Sequence, residues 1–227
     1  MNAMKMLAAR AVFMRLVSLF SSGVMIAALL AGCGITPDRP VRATLYDFGP
    51  DAVAPAGPPF SLPALVLADV DAAGGLEGSA MLYRLAYADA HELKPYAFAR
   101  WAAPPAQLVR QRLREQLGRD RMVLDLGDAA ALARSEGRTP RQLRVELEEF
   151  SHVFTAPQQS VGYLRLRCTL LESTAAGDKL LAQRTFTVQR PAPSADPSGG
   201  VRGLAAAIDG AAAEIGAWLA TVPPAPR

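Results

Sequence analysis

The chain has 227 residues with 24 Lys and Arg against 21 Asp and Glu, a formal charge of +3, and only two histidines and two cysteines. Lys5, Arg10 and Arg15 account for the whole cationic excess, so the rest of the chain is formally neutral and has no basic cluster for nucleic acid. So few histidines and cysteines also leave little with which to build a metal cage or a disulfide framework.

The first 33 residues read as an address. After the three cations, residues 16–30 form an uncharged apolar run, too short and too interrupted by Ser and Gly for a membrane span. It ends in Leu30, Ala31, Gly32 and Cys33, the form of a bacterial lipobox. Small residues fit a signal peptidase cleft, and the thiol accepts diacylglycerol before cleavage makes it the first residue. The plainer alternative is an export signal that happens to contain a cysteine. On the lipoprotein reading, residues 1–32 are removed, and the only prosthetic chemistry is the covalent diacylglycerol and N-acyl chain on Cys33. Three acyl chains hold on the order of forty methylenes at ~0.8 kcal/mol each, enough to keep the protein in its bilayer. Gly34, where an Asp would signal retention, points to the outer membrane. Residues 33–42, with Pro37 and Pro40, form a lipidated tether that can span roughly 30 Å.

In chain order, residues 45–48 suggest a short strand and 49–63, with five prolines, a loop. Residues 65–70 are an apolar run of strand length, broken by Gly74, Gly75 and Gly78. Met81, Tyr83, Leu85 and Tyr87 alternate with smaller or polar residues, a strand pattern. The spacing then predicts a turn leading to an amphipathic helix opened by Pro104 and Pro105, with Leu108, Val109, Leu113 and Leu117 on one stripe and a left-handed cap at Gly118. Residues 121–126 suggest a strand, and 128–134 one or two helical turns capped by Asp128. Leu143, Val145 and Leu147 alternate with charged residues toward Phe150 and Phe154. Residues 161–171 and 180–188 form a hairpin closed around Gly177 and Asp178. After a loop at 191–200, Leu204, Ile208, Ala211, Ile215, Trp218 and Leu219 share one helical face. The expected fold is α+β: a mixed, mostly antiparallel sheet with two longer helices packed on it. Residues 43–222 make one domain and 223–227 a tail.

The search for chemistry finds no catalytic constellation. His91 and His152 lack a second ligand at metal spacing; Ser79 is not followed by the glycine of a nucleophile elbow; Gly74, Gly75 and Gly78 match no phosphate loop. Glu146, Glu148 and Glu149 read as the wet face of a strand. Cys168, on the apolar face of Leu164, Leu166 and Leu170, reads as a buried free thiol.

Tyr46, Tyr83, Arg84, Tyr96, Arg100, Trp101, Pro104 and Pro105, with the Arg-rich helix after them, carry a resemblance across nearly the whole mature domain. The chain resembles the ABC-type transport auxiliary lipoprotein family. The resemblance implies a non-enzymatic, lipid-anchored accessory of an ABC/MCE-type lipid transport system, facing the periplasm from the outer membrane. It implies an MCE-domain protein as partner, with no cofactor and no nucleic acid, and a homo-oligomer is compatible with it. Tyr96, Arg100 and Trp101 are the candidate partner contact, an aromatic and arginine cluster of the type enriched at interfaces. The bland reading is that Tyr96 and Trp101 pack a corner and Arg100 pairs with a carboxylate or a helix end. Two rivals stay open: a periplasmic lipoprotein that itself binds a small molecule or glycan in a deep pocket, and an enzyme whose site is assembled from scattered Asp, Glu and Ser.

Overall fold

A computed structural model describes residues 42–50, 60–136, 140–174 and 176–223. The lipobox residues Leu30, Ala31, Gly32 and Cys33, the rest of the signal segment, the tether before Arg42 and residues 224–227 lie outside the described residues.

Three long runs of alternating residues make the largest part of the sheet. β6 (Arg141–Ala156), β7 (Gln159–Thr174) and β8 (Gly177–Pro191) form an antiparallel meander, with Leu143 opposite Leu170, Val145 opposite Cys168 and Leu166 opposite Phe186. Paired residues share a face, so period-two alternation puts one whole apolar set on one side. Leu143, Val145, Leu147, Leu164, Leu166, Cys168, Leu170, Phe186 and Val188 are all buried. The β7–β8 turn uses Gly177 at φ 116°, a conformation glycine adopts without Cβ strain.

The other edge of β6 is shared. β2 (Leu62–Ala72) pairs parallel to its first half, and β3 (Ala80–Leu85) parallel to residues 152–154. Outside β2 lies β5 (Arg121–Leu124), parallel; outside β3 lies β4 (Leu93–Trp101), antiparallel; and β1 (Thr44–Tyr46) closes that end parallel to β4. The result is a mixed α/β single domain built on an open, mostly antiparallel eight-stranded sheet.

Two helices cover one face. α1 (Pro105–Leu117) buries Leu108, Val109, Leu113 and Leu117, the predicted stripe, with Pro105 in its first turn. A shorter helix, α2 (Leu126–Glu136), follows β5. α3 (Pro197–Thr221) packs on β7, β8 and β6 and buries Leu204, Ile208, Ala211, Ile215, Trp218 and Leu219 as expected. Its length and apolar composition would suit a membrane span, but here it is the core helix of the domain, half buried. It can lie close because both surfaces carry glycine: a Cβ on Gly162 would sit 2.2 Å from the Gly203 carbonyl carbon. Arg112 of α1 grips Asp209 of α3 with two hydrogen bonds of 2.7 and 3.0 Å, fixing one helix against the other.

Several boundaries differ from expectation. Gly118 is right-handed at φ −71°, so α1 ends without a left-handed cap. The cap of α2 is Asp125, whose Oδ1 accepts from the Asp128 amide at 2.8 Å; Asp128 itself lies in the first turn. The loop expected at 191–200 is shorter, because β8 runs to Pro191 and α3 starts at Pro197. Asp196 accepts from Gly199 N at 2.7 Å, and a capping Asp followed by Pro outweighs the two glycines behind it. The expected turn before α1 contains a whole strand, β4, hidden by Pro95 and poor alternation. Proline is tolerated there because β1 pairs with β4 only at residues 99–101, leaving Pro95 on an open edge.

Candidate partner interface

β4 distributes the three predicted contact residues to different places. Trp101 points under the helix layer: it is 2% exposed and stacks near Phe48 and Phe150, with ring centroids 5.5 and 5.3 Å away. As a surface contact Trp101 is therefore corrected: alternation along β4 sends it, with Ala99, into the core, where it supports the edge from beneath. Tyr96 is half-buried, 4.5 Å from the Tyr83 ring, and its hydroxyl shares a 2.8 Å hydrogen bond with His152 Nδ1. Arg100 lies on the opposite face, half-buried, and donates to the Tyr96 carbonyl at 3.4 Å rather than to a carboxylate or a helix end. The corner-packing reading thus holds for Tyr96 and Trp101, and only Arg100 of the three is turned toward the open face.

The residues that sequence reasoning missed are Leu45 and Phe98. They are 66% and 59% exposed, although both are large and apolar. Leu45 lies opposite Arg100 in the β1–β4 pairing, and Phe98 precedes the Thr44–Ala99 pair, so both flank Arg100 at the sheet's end. The signal was present: with Ala99 and Trp101 buried, any strand over these residues must turn Phe98 outward. It went unread because β4 was unread.

Behind this edge lies an unusual buried polar group. His152 is fully buried among Tyr96, Phe154 and the start of α3, and a Cβ on Gly200 would meet its Nδ1 at 2.5 Å. Among the described residues its Nε2 has no partner. Burial lowers its pKa to about 4, against a weaker opposing pull from Asp196, so the ring is neutral at pH 7. The same burial raises the Tyr96 pKa. No group of three or more His, Cys, Asp or Glu among the described residues could hold a metal ion. A lone neutral histidine hydrogen-bonded to a tyrosine has no nucleophile or third group beside it and forms no triad.

The family model for the ABC-type transport auxiliary lipoprotein component matches residues 46–216. The chain belongs to that family. Two solved structures that are distant in sequence share the fold. This auxiliary lipoprotein is 23% identical to protein XCC0632 from Xanthomonas campestris, of the DUF330 family, with a TM-score of 0.61 over 78% of this chain and 94% of that one. The solved structure of an uncharacterized protein aligns at 16% identity and a TM-score of 0.56, over 78% of this chain and 99% of the other. The hypothetical protein CT253 from Chlamydia trachomatis aligns at 11% identity and a TM-score of 0.47, over 70% and 96%. No curated protein matches the sequence. An auxiliary role in ABC transport follows from the family.

Proposed function

We propose that this auxiliary lipoprotein is a non-enzymatic docking component that holds the MCE protein of an ABC-type lipid transporter at the outer membrane, anchored there by acyl chains on Cys33. The observation that carries the reading is the apolar pair Leu45 and Phe98, exposed on either side of Arg100 at the end of the sheet. Exposed large apolar residues around an arginine suit a protein contact, whereas reaction chemistry needs convergent titratable groups. The family supplies the transporter, and the lipobox supplies the membrane.

The test is co-purification of the acylated protein with the MCE protein encoded nearby, in mild detergent. Capture is expected; its absence removes the docking role. The anchor is tested separately by Cys33→Ser, which should abolish incorporation of a fatty-acid analogue and leave the precursor uncleaved. Continued labelling of that variant would sink the lipidation assignment.

A further inference from the structure

The strand directions give the domain two ends of different composition. β4 begins where β3 stops, with Leu93 opposite Arg84, and Leu85 of β3 lies opposite Phe154 of β6. The β3–β4 and β6–β7 turns therefore share one end, and the β8–α3 connection joins them there, since Val161 lies opposite Pro191. The chain enters the domain from this side. β1 runs parallel to the last residues of β4, so followed backwards from Thr44 to Arg42 it heads for the Leu93 end. The β7–β8 turn at Gly177, the start of β5 and the end of α3, where Arg141 donates to the Val222 carbonyl, lie at the other end.

The turns of the entry end are nearly free of charge. Residues 153–164 and 191–195 contain no Asp, Glu, Lys or Arg, and Pro157, Gln158 and Pro193 are exposed among them. In the β3–β4 turn, Tyr87 and Leu93 are 48% and 41% exposed although both are large and mainly apolar. The few charges of that turn are engaged locally: Lys94 with Glu92 at 2.8 Å, the Asp89 carboxylate with the His91 amide at 2.8 Å, and Arg84 with the Ala90 carbonyl at 2.8 Å. The far end instead carries Arg119, Asp120, Arg141, Glu172, Asp178 and Lys179.

Reach selects between the two ends. The tether from Cys33 spans roughly 30 Å. β7, with 16 residues, carries the Gly177 turn away from the entry end, at about 3.3 Å per residue a distance of roughly 50 Å. We infer that the entry end rests on the bilayer that holds the anchor, with Tyr87 and Leu93 seated at the level of the phospholipid headgroups. A tyrosine suits that depth, since its ring is apolar and its hydroxyl stays wet, and uncharged turns lose little hydration on approach. Two such side chains alone hold a bilayer weakly; the acyl chains supply the effective concentration that makes the contact persistent. The contact fixes which end of the domain points away from the membrane. The inference rests on the lipid anchor of the docking reading and is independent of the MCE protein.

The test attaches an environment-sensitive fluorophore at Ala88→Cys, beside Tyr87, or at Leu180→Cys, near the far turn. The acylated protein is reconstituted into phosphatidylethanolamine and phosphatidylglycerol vesicles that contain a shallow spin-labelled phospholipid. Cys168 is buried and Cys33 carries lipid, so each variant takes one label. A blue shift and quenching are expected at the Ala88 site and neither at the Leu180 site. Tyr87→Ser with Leu93→Ser should remove most of the quenching at the Ala88 site; both side chains are exposed, so the fold is retained. No quenching at the Ala88 site, equal quenching at the two sites, or quenching that survives the double substitution overturns the proposal. So does a blue shift that needs the MCE protein rather than lipid, which would assign the turn to a protein contact. Protein that fails to float with vesicles refutes the anchor and this inference with it. Protein that floats and is quenched at the Ala88 site without capturing the MCE protein refutes the docking role alone.

Discussion

The two faces of the sheet are made from the same strands and do opposite work. Under α1 and α3, the inward residues of β6, β7 and β8 pack without charge, and helix backbone approaches strand backbone at Gly162. On the open face the outward residues of the same strands form a charged ladder: Arg144 with Asp178 at 2.9 Å, Arg165 with Glu148 at 2.8 Å, and Arg167 with Glu146 at 3.6 Å and with Glu148. The difference teaches where this molecule is fragile. Close packing leaves no slack on the covered face, while solvated ion pairs each contribute little and can be exchanged. Cys168 belongs to the covered face in its chemistry too: burial pushes its thiol up to about 12, so it carries no thiolate at neutral pH.

The sharpest way to break that contrast is one substitution on each face. Gly162→Ala puts a Cβ 2.2 Å from both the Gly203 carbonyl carbon and the Leu204 nitrogen, atoms of helix backbone that cannot rotate away. The expected loss is about 3 kcal/mol or more, read as failure to give a cooperative melt. Arg165→Gln, three residues along the same strand but outward, should cost less than about 1 kcal/mol and lose even that at high salt. Equal effects from the two would erase the distinction.

Next in size is Trp101→Ala. Removing a side chain that is 2% exposed and packed between Phe48 and Phe150 should cost about 3–5 kcal/mol in a denaturant titration. A capture assay on this variant would report folding before it reported contact.

The third prediction concerns acid. His152 has a folded pKa of about 4 against 6.5 for the ordinary value, because its buried ring resists charging. The native state thus binds fewer protons than the unfolded chain between those values, and this group's contribution is complete above pH 6.5 and lost as pH falls toward 4. The span corresponds to up to roughly 3 kcal/mol. The group that opposes the shift, Asp196, is itself held below its usual range by the Gly199 amide and Ser194, so it stays ionised through this window. Chemical denaturation at pH 7 and pH 4.5 should show the slope, and His152→Phe, if it folds, should flatten it. An unchanged slope in that variant would mean that the acid sensitivity arises elsewhere.

Much of this contrast was legible in the sequence where alternation is long. β6, β7 and β8 announced themselves through Leu143 to Phe154 and the hairpin around Gly177, and α1 and α3 through their apolar stripes. Glu146, Glu148 and Glu149 read correctly as outward. What stayed hidden depends on tertiary pairing. β4 has Pro95 and two alanines in nine residues and becomes a strand only because β3 and β1 hold it. With β4 unseen, Trp101 looked like a surface aromatic, and Phe98 was not singled out. His152 read as an ordinary strand histidine, since nothing local reveals that a glycine of α3, some fifty residues later, closes over it.

The smallest expected effect on stability is the one that bears most on function. Leu45 and Phe98 lie on the boundary between the two faces, at the edge strand, and both are more than half exposed, so little apolar burial is lost when they are shortened to polar residues. Leu45→Ser with Phe98→Ser should leave the midpoint of denaturation within about 1 kcal/mol of the parent, far below the effect of Trp101→Ala beneath them. A contact anchor behaves differently from a stability anchor: truncating one at an interface typically costs about 2 kcal/mol or more, near thirtyfold in affinity. The double variant should therefore fold and stay acylated yet release the MCE protein in mild detergent, while Arg165→Gln retains it. If Leu45→Ser with Phe98→Ser captures the MCE protein as well as the parent does, the edge is not the contact, and the charged ladder of the open face becomes the surface to mutate next.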